Sequence, residues 1–333
     1  MIDTKMPEPV WQPLPWQGAQ WQRVSQQIER AQLPHALLLA GPLGVGKRVF
    51  ARALGAVLLC RSPQYDAACG QCKSCLLLMA DTHPDWHWLA PEETGKAIKI
   101  DQIRELVEQM TQTAQQGGRK LAFIASAEAM NRNAANALLK TLEEPTDAAL
   151  LILIGDLPGR LLPTIRSRCQ RLDFPVPARD AIQAWLQPSA ASVEKLELAL
   201  AEADGRPMFA RELLEGEGFA LRRELSDEMA AVLKRQTSIL AAVERWKQHD
   251  WTPLLYWLES RVTRALRAQA SGNVASEPAV ALLSQAPAVN LFGLLDQLKS
   301  LINLTLAGTN PNSQLALEGF LFAACDAVNK KTQ

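Results

Sequence analysis

Four cysteines lie close together in the first quarter of the sequence, and their spacing is a strong chemical signal. The pattern is Cys60-x8-Cys69-x2-Cys72-x2-Cys75. Four thiolates are a typical ligand set for a closed tetrahedral Zn²⁺ site, which has no open coordination position and is structural rather than catalytic. We therefore expect these cysteines to hold a structural zinc ion in a module at about residues 60–76. An iron–sulfur cluster with four thiolate ligands and a chance group of buried thiols are the alternatives.

A glycine-rich segment matches the loop that binds nucleotide phosphates. Its sequence, Gly41-Pro42-Leu43-Gly44-Val45-Gly46-Lys47, fits G-x-x-x-x-G-K and lies between an apolar run and a segment with helical spacing. In such a loop, backbone N–H groups and the helix N-terminus attract phosphate oxygens, and the lysine reaches the terminal phosphates. The candidate residues for binding ATP, ADP or phosphate are Gly41, Gly44, Gly46 and Lys47. An ordinary turn between a strand and a helix is the alternative.

Two requirements for nucleotide hydrolysis are missing from the sequence around this loop. Arg48 stands where a Ser or Thr hydroxyl coordinates Mg²⁺, and arginine is not a metal ligand. Ala125 and Ser126 stand where an acidic pair would hold Mg²⁺ and orient the attacking water. Glu128, two residues further on, is expected to point elsewhere. The loop is therefore predicted to bind nucleotide or phosphate at most, with very slow hydrolysis or none.

Arg166 and Arg168 lie two residues apart just before Cys169. On spacing alone, they are best interpreted as members of surface ion pairs at a domain edge. The functional alternative is an arginine supplied in trans, whose planar cation stabilises charge on a phosphoryl group bound by the next subunit.

Short apolar runs alternate with amphipathic segments through the first half of the chain. The predicted strands are 36–40, 121–125 and 149–154, and the predicted helices are 48–59, 100–113 and 134–142. This alternation is typical of a parallel sheet with helices on both faces, so the first domain is predicted to be α/β. After residue 177 no strand-like run recurs. The remainder is predicted to be all-α, with helices at 230–240 and 291–306 and a loop at 271–287.

Length and composition indicate an ordinary folded protein of two or three domains. The chain has 333 residues, is 48% hydrophobic and 21% charged, and balances 35 basic against 35 acidic residues. A zero net charge provides no overall field to attract nucleic acid, so DNA contact would need a local patch or partner subunits. Neither a signal peptide nor an apolar run of membrane-spanning length is present, and a cytoplasmic location is expected. Cys169 and Cys325 are expected to be ordinary buried thiols.

Several strings of the sequence together resemble the bacterial clamp-loader family. They are His35–Leu38, the four-cysteine insertion, His83-Pro84-Asp85, Asn136-Ala137-Leu138-Leu139-Lys140-Thr141-Leu142-Glu143-Glu144-Pro145 and Ser167-Arg168-Cys169. The last two strings are highly specific to that family. The resemblance covers about residues 20–175, and the helical remainder matches in length and character only.

The resemblance implies an AAA+ fold in three domains. These would be a P-loop α/β domain at 1–173, a small helical lid at 174–212 and a helical collar for oligomerisation at 213–333. Active family members also place a Thr or Ser after the strand ending near residue 154 and an arginine at the start of the last lid helix. Gly155 and Met208 stand at those positions. The chain thus resembles the family's subunits with a degenerate nucleotide site more than its motor subunit.

The implied function is that of a non-hydrolysing stator in a ring of five subunits, within a DNA polymerase holoenzyme. Its partners would be the motor (gamma/tau) and delta subunits and, through the complex, the sliding clamp and primed DNA. The resemblance makes Arg168 an arginine finger for the ATP of a neighbouring motor subunit, against the interpretation from spacing alone. Two alternatives stay open: an active ATPase motor in which Glu128 replaces the missing acids, and a zinc-dependent adaptor in which Lys73, Trp86 and the cysteine module contact DNA.

Overall fold

The structure, a computed structural model, describes residues 11–64, 67–93, 96–116, 118–146, 148–216, 218–272, 275, 277–306, 309 and 311–329. These residues belong to two compact units. The first extends to Glu215, and the second begins at Gly216 and also takes in Lys96. The division into three domains, with boundaries after residues 173 and 212, stays a prediction.

The first unit is built around a sheet of five strands. The strands are β1 (Ala36–Ala40), β2 (Trp86–Leu89), β3 (Lys120–Ala125), β4 (Ala149–Gly155) and β5 (Gln170–Asp173). The α-helices are α1 (Gly18–Glu29), α2 (Lys47–Leu59), α3 (Lys73–Met79), α4 (Ile100–Thr111), α5 (Arg132–Glu143), α6 (Pro163–Arg166), α7 (Arg179–Leu186), α8 (Val193–Glu202) and α9 (Pro207–Glu215). Short 3₁₀ turns occur at Pro15–Gln17, Ala127–Ala129, Pro158–Arg160 and Gln187–Ser189.

All neighbouring strands of this sheet are parallel, in the order β2-β3-β4-β1-β5. Ala40, the last residue of β1, pairs with Gly155 at the end of β4 on one side and with Asp173 at the end of β5 on the other. The carboxyl ends of parallel strands meet at one edge of a sheet, which is where α/β proteins place their ligand sites. The glycine-rich segment leaves β1 at this edge, between β4 and β5.

The sheet is covered on both faces, because alternate residues of each strand point to opposite sides. One face packs Leu38 and Ile124 against Ile103 of α4 and Leu138 of α5. The other face packs Leu37 and Phe123 with α1 and α2. Every residue of β1, β3 and β4 is buried, as continuous apolar runs in a parallel sheet require.

The regular secondary structure in the described residues of the second unit is entirely α-helical. Its helices are α10 (Gly218–Leu233), α11 (Ile239–Trp246), α12 (Trp251–Ser271), α13 (Pro278–Leu283), α14 (Ala288–Leu306) and α15 (Ser313–Asn329). A single apolar core joins them around Trp246, Leu258 and Phe320. Within the part of the chain that the structure describes, no helix combines the length and the hydropathy needed to cross a bilayer.

The strands and helices predicted for the first half of the chain are confirmed, and three other expectations need correction. Trp86–Leu89 is an edge strand paired with β3, although no strand was predicted at these residues. The predicted helix at 230–240 is wrong, since Arg235 has a left-handed φ of 59° and Ser238 caps a new helix. The predicted loop at 271–287 contains α13, which begins with Pro278 in its first turn, a position that proline favours.

Candidate nucleotide loop, metal centre and exposed arginine

The glycines of the loop are required by its conformation and by close packing. Gly44 and Gly46 both have φ of +88°, in the left-handed region that favours glycine. A Cβ atom added to Gly41 would lie 2.1 Å from the carbonyl oxygen of Phe174. The segment therefore forms the turn that the motif predicts, and Lys47 begins α2 directly after it.

The far end of the loop, from Gly44 to Lys47, is buried within the first unit. The carbonyl oxygen of Gly46 accepts a hydrogen bond of 2.9 Å from Gln17 Nε2, and that of Gly44 accepts one of 3.0 Å from the Met208 N–H. Trp16 Nε1 donates to the Val45 carbonyl oxygen at 3.1 Å. The segment before α1 and the start of α9 therefore pack directly on the loop.

The loop lysine is saturated by partners within the chain. Lys47 Nζ donates to the carbonyl oxygens of Gly41 at 2.6 Å and Pro42 at 2.7 Å, and to Asp156 Oδ1 at 2.6 Å. The Lys47 side chain is 2% exposed and that of Asp156 is 12% exposed. Sequence reasoning missed Asp156. It directly follows β4, so the pairing of β4 with β1 is the signal that would have found it.

Glu128 lies behind Asp156 at the same edge of the sheet. Its Oε1 accepts hydrogen bonds from the backbone N–H groups of Asp156 at 3.0 Å and Leu157 at 3.2 Å. Its Oε2 is buried and has no hydrogen-bond partner among the described residues. Burial, and in second place the charge of Asp156, raises the pKa of Glu128 to about 7. The Glu128 carboxyl group therefore binds the backbone of the turn that follows β4.

The residues at the metal-binding positions of the motif contact each other. Arg48 Nη2 donates to Ser126 Oγ at 3.3 Å. Ser126 follows β3 with a left-handed φ of 53°. A cation and a hydroxyl thus stand where Mg²⁺ chemistry would need a hydroxyl and carboxylates.

The two positions compared with active family members carry no such groups. Gly155 ends β4, and Met208 lies buried near the start of α9. The side chain of Arg206, just before α9, stacks on Phe209 with its guanidinium carbon 4.6 Å from the ring centroid.

Arg168 lies between α6 and β5 at the surface of the first unit. Its Nη2 forms an ion pair of 2.7 Å with Glu143 Oε1, and its Nη1 donates to the carbonyl oxygen of Thr164 at 3.0 Å. The side chains of Arg168 and Glu143 are 36% and 50% exposed. The next residue, Cys169, is buried, and burial raises the pKa of its thiol to about 12.

The four cysteines of the predicted metal module come together. Their Sγ atoms all lie within 4.8 Å of one another. The closest pairs are Cys72 and Cys75 at 3.5 Å, Cys60 and Cys72 at 4.0 Å, and Cys69 and Cys75 at 4.0 Å. Backbone N–H groups of Cys69 and Cys75 donate to the sulfurs of Cys60 and Cys72. Such an arrangement can bind one metal ion.

The His83-Pro84-Asp85 string ties this module to the sheet. His83 Nδ1 accepts from the Asp85 N–H at 3.1 Å, so Nε2 carries the proton that is shared with Ser74 Oγ at 2.8 Å. Desolvation lowers the pKa of His83, which favours this neutral form. The histidine therefore donates to Ser74 and is not a base for it, so these residues form a buried structural link.

Trp86 is part of the core of the first unit. Its ring centroid lies 4.2 Å from that of Phe123, and its ring fills the space beside Gly55. Trp86 is therefore half-buried, with its ring packed against the core of the first unit.

Comparison with known proteins agrees with this architecture. A solved structure of a DNA polymerase III gamma subunit-related protein from Thermotoga maritima superposes with a TM-score of 0.50 at 19% identity, covering 93% of this chain and 100% of that one. With the parallel sheet and the helical second unit, this likeness confirms the expected fold class, an AAA+ P-loop α/β domain followed by helical regions.

Sequence relatives identify the family. Residues 16–178 match the family model described as DNA polymerase III, delta subunit. A DNA polymerase III subunit delta' from Pseudomonas aeruginosa is 46% identical over 246 residues, 73% of this chain and 74% of the relative. The Escherichia coli protein of the same name is 34% identical over 257 residues, 76% of each chain. This chain therefore belongs to the DNA polymerase III delta' subunit family.

Proposed function

We propose that this chain is the non-hydrolysing delta' subunit of a DNA polymerase III clamp loader and that it supplies Arg168 to the ATP site of a neighbouring subunit. Family membership supports a role as a clamp-loader component in DNA replication. The motor (gamma/tau) and delta subunits would complete a five-membered ring that loads the sliding clamp onto primed DNA.

The state of the phosphate loop supports the absence of ATP hydrolysis. Hydrolysis needs Mg²⁺, a water-orienting acid and a lysine available to phosphate. In this chain Arg48 and Ser126 pair with each other, and Lys47 is bound to Asp156 and two carbonyl oxygens. These contacts support a chain that hydrolyses no ATP of its own.

The exposure and orientation of the Arg168 side chain are the observation that supports its assignment as the arginine finger. The side chain is partly exposed, and its two terminal nitrogens are oriented by Glu143 and Thr164. A guanidinium carries five N–H donors in a planar fork suited to phosphate oxygens. These contacts, with a longer one of 3.5 Å from Nη1 to Ser167 Oγ, orient the guanidinium and leave it further N–H donors for an incoming phosphate.

The test is ATP hydrolysis by the reconstituted loader in the presence of clamp and primed DNA. Arg168→Ala is expected to lower hydrolysis at the adjoining ATP site by on the order of 10³-fold or more. Arg166→Ala is the matched control, since Arg166 is an exposed arginine two residues away. Normal hydrolysis and clamp loading with Arg168→Ala would rule out the finger.

The purified chain alone distinguishes this function from that of a motor subunit. With Mg²⁺ and primed DNA present, we expect no ATP turnover. Steady turnover that Lys47→Ala abolishes would favour an active ATPase. The packing of Trp86 against Phe123 gives no support to the adaptor that reads DNA through the cysteine module.

We also propose that the cysteine module holds a structural Zn²⁺ ion. A Zn–S distance of about 2.3 Å puts the sulfurs of a regular tetrahedron about 3.8 Å apart. The three closest Sγ pairs, at 3.5–4.0 Å, straddle that value. An iron–sulfur cluster occupies the space between its ligands and would hold the sulfurs further apart, so a single ion fits better. Zinc would fix the chain between α2 and α3 without supplying a reactive position.

A further inference from the structure

The side-chain ammonium group of Lys47 is fully bound by acceptors within the chain. An ammonium group has three N–H donors and no acceptor. Lys47 Nζ meets three acceptors at 2.6–2.7 Å, two of them carbonyl oxygens of its own loop and the third Asp156 Oδ1. Every donor that could reach a terminal phosphate is therefore in use.

Asp156 also neutralises the charge that would attract a phosphate. The two side chains are 2% and 12% exposed, so water screens their attraction little. An anion entering the loop would have to displace the carboxylate from Lys47 and would then lie beside it. Both effects oppose binding, because like charges brought together in a buried site repel strongly.

The fold holds this carboxylate in place. β4 pairs with β1 in parallel, so the residue after Gly155 emerges beside the start of the loop. The backbone N–H of Asp156 is bound by Glu128 Oε1 at 3.0 Å. Asp173, at the end of the other strand that flanks β1, is exposed and pairs with Arg171 instead.

We propose that Asp156 is an internal counter-ion that occupies the phosphate position of the loop and closes it to nucleotides and other polyphosphates. The loop then acts as a structural junction between the sheet, the segment before α1 and the start of α9. A latent polyphosphate site lies beneath this carboxylate. The inference rests on the proposed function and deepens it, because it adds that the chain binds no nucleotide and assigns this property to one residue.

The experiment measures binding of ADP and of inorganic pyrophosphate to the full chain by calorimetry. The wild type is expected to bind neither at millimolar concentration. Asp156→Asn keeps the size and one acceptor oxygen but removes the charge, and is expected to gain affinity for both ligands by at least about tenfold. Asp173→Asn is the matched control and should behave as the wild type. Adding Lys47→Ala to Asp156→Asn should abolish the gain.

A folded Asp156→Asn variant that gains no affinity would overturn the proposal, and so would ADP binding by the wild type as tight as that of the variant. A measurement on the wild type covers the case in which the variants fail to fold. Treatment with acetic anhydride, followed by peptide mass spectrometry, should leave Lys47 unmodified while the exposed Lys73 reacts. Equal reaction of the two lysines would also overturn the proposal.

The outcomes separate this inference from the proposed function. Nucleotide binding without hydrolysis by the wild type would remove the counter-ion role and leave the stator role intact. Normal ATP hydrolysis by a loader carrying Arg168→Ala would remove the finger and leave the role of Asp156 intact.

Discussion

The ion pair between Glu143 and Arg168 is expected to orient the proposed finger, and its removal gives a quantitative test. The two charged groups are 2.7 Å apart, with side chains 50% and 36% exposed. Pairs with this exposure contribute about 0.2–1 kcal/mol. If that energy holds the guanidinium in its reactive orientation, Glu143→Ala should slow hydrolysis at the adjoining site by about 1.4- to 5-fold.

The assay is steady-state ATP hydrolysis by the reconstituted loader with clamp and primed DNA. Because Glu143 would act through the arginine, the loss should appear in kcat with KM unchanged. Glu144→Ala removes the neighbouring exposed carboxylate and should have no effect. In a loader that already carries Arg168→Ala, Glu143→Ala should change nothing further. The orienting role would be refuted if Glu143→Ala caused the same loss in the Arg168→Ala loader. It would also be refuted if the loader carrying Glu143→Ala alone hydrolysed ATP faster than the wild-type loader.

Two further predictions concern the metal module and the edge of the sheet. The purified chain should contain about one zinc ion. Cys75→Ser should lose most of this zinc, whereas Cys325→Ser should retain it, because the Cys325 thiol donates to the Val232 carbonyl oxygen and lies outside the cluster. Equal zinc content in the two variants would contradict the site. Because burial and the charge of Asp156 raise the pKa of Glu128 from 4.5 to about 7, its contribution to folding stability is complete below pH 4.5 and is lost as the pH rises through 7. The free energy of unfolding of Glu128→Gln, measured with urea, should therefore rise relative to that of the wild type between pH 5 and pH 8, by on the order of 3 kcal/mol. A difference that does not change with pH would show that the pKa of this carboxyl is not raised.

The sequence predicted those parts of the fold whose signal is local. β1, β3 and β4 are short apolar runs between turn residues, and such a run is sufficient to indicate a strand that is buried on both faces of a parallel sheet. β2 escaped prediction because Trp86-His87-Trp88-Leu89 is short and lies in a segment rich in Cys, Pro and Gly. It is stabilised by pairing with β3, a contact that sequence spacing does not encode.

The candidate sites also divide into parts that local sequence spacing predicts and parts that depend on contacts distant in sequence. The cysteine spacing was sufficient to predict the cluster, because all four cysteines lie between residues 60 and 75. The partners of the charged residues were not predictable from spacing. Lys47 and Asp156 are 109 positions apart and meet only because β4 lies beside β1. Glu143 was part of a recognised string, but its contact with Arg168 depends on how the loop before β5 folds.

The packing of the three loop glycines has a consequence for mutational tolerance. A methyl group would meet the Phe174 carbonyl oxygen at Gly41, the Phe209 ring at Gly44, and Leu14 at Gly46, at 2.1, 3.0 and 2.3 Å. Gly44 and Gly46 also have φ of +88°, which strains any other residue. Replacing any of the three glycines should therefore impair folding, whether or not the loop binds a nucleotide. In a saturation mutagenesis screen, these positions would be as intolerant as those of a working ATPase. The glycines of this phosphate loop are thus required by packing and backbone conformation, and their presence alone does not indicate ATP turnover.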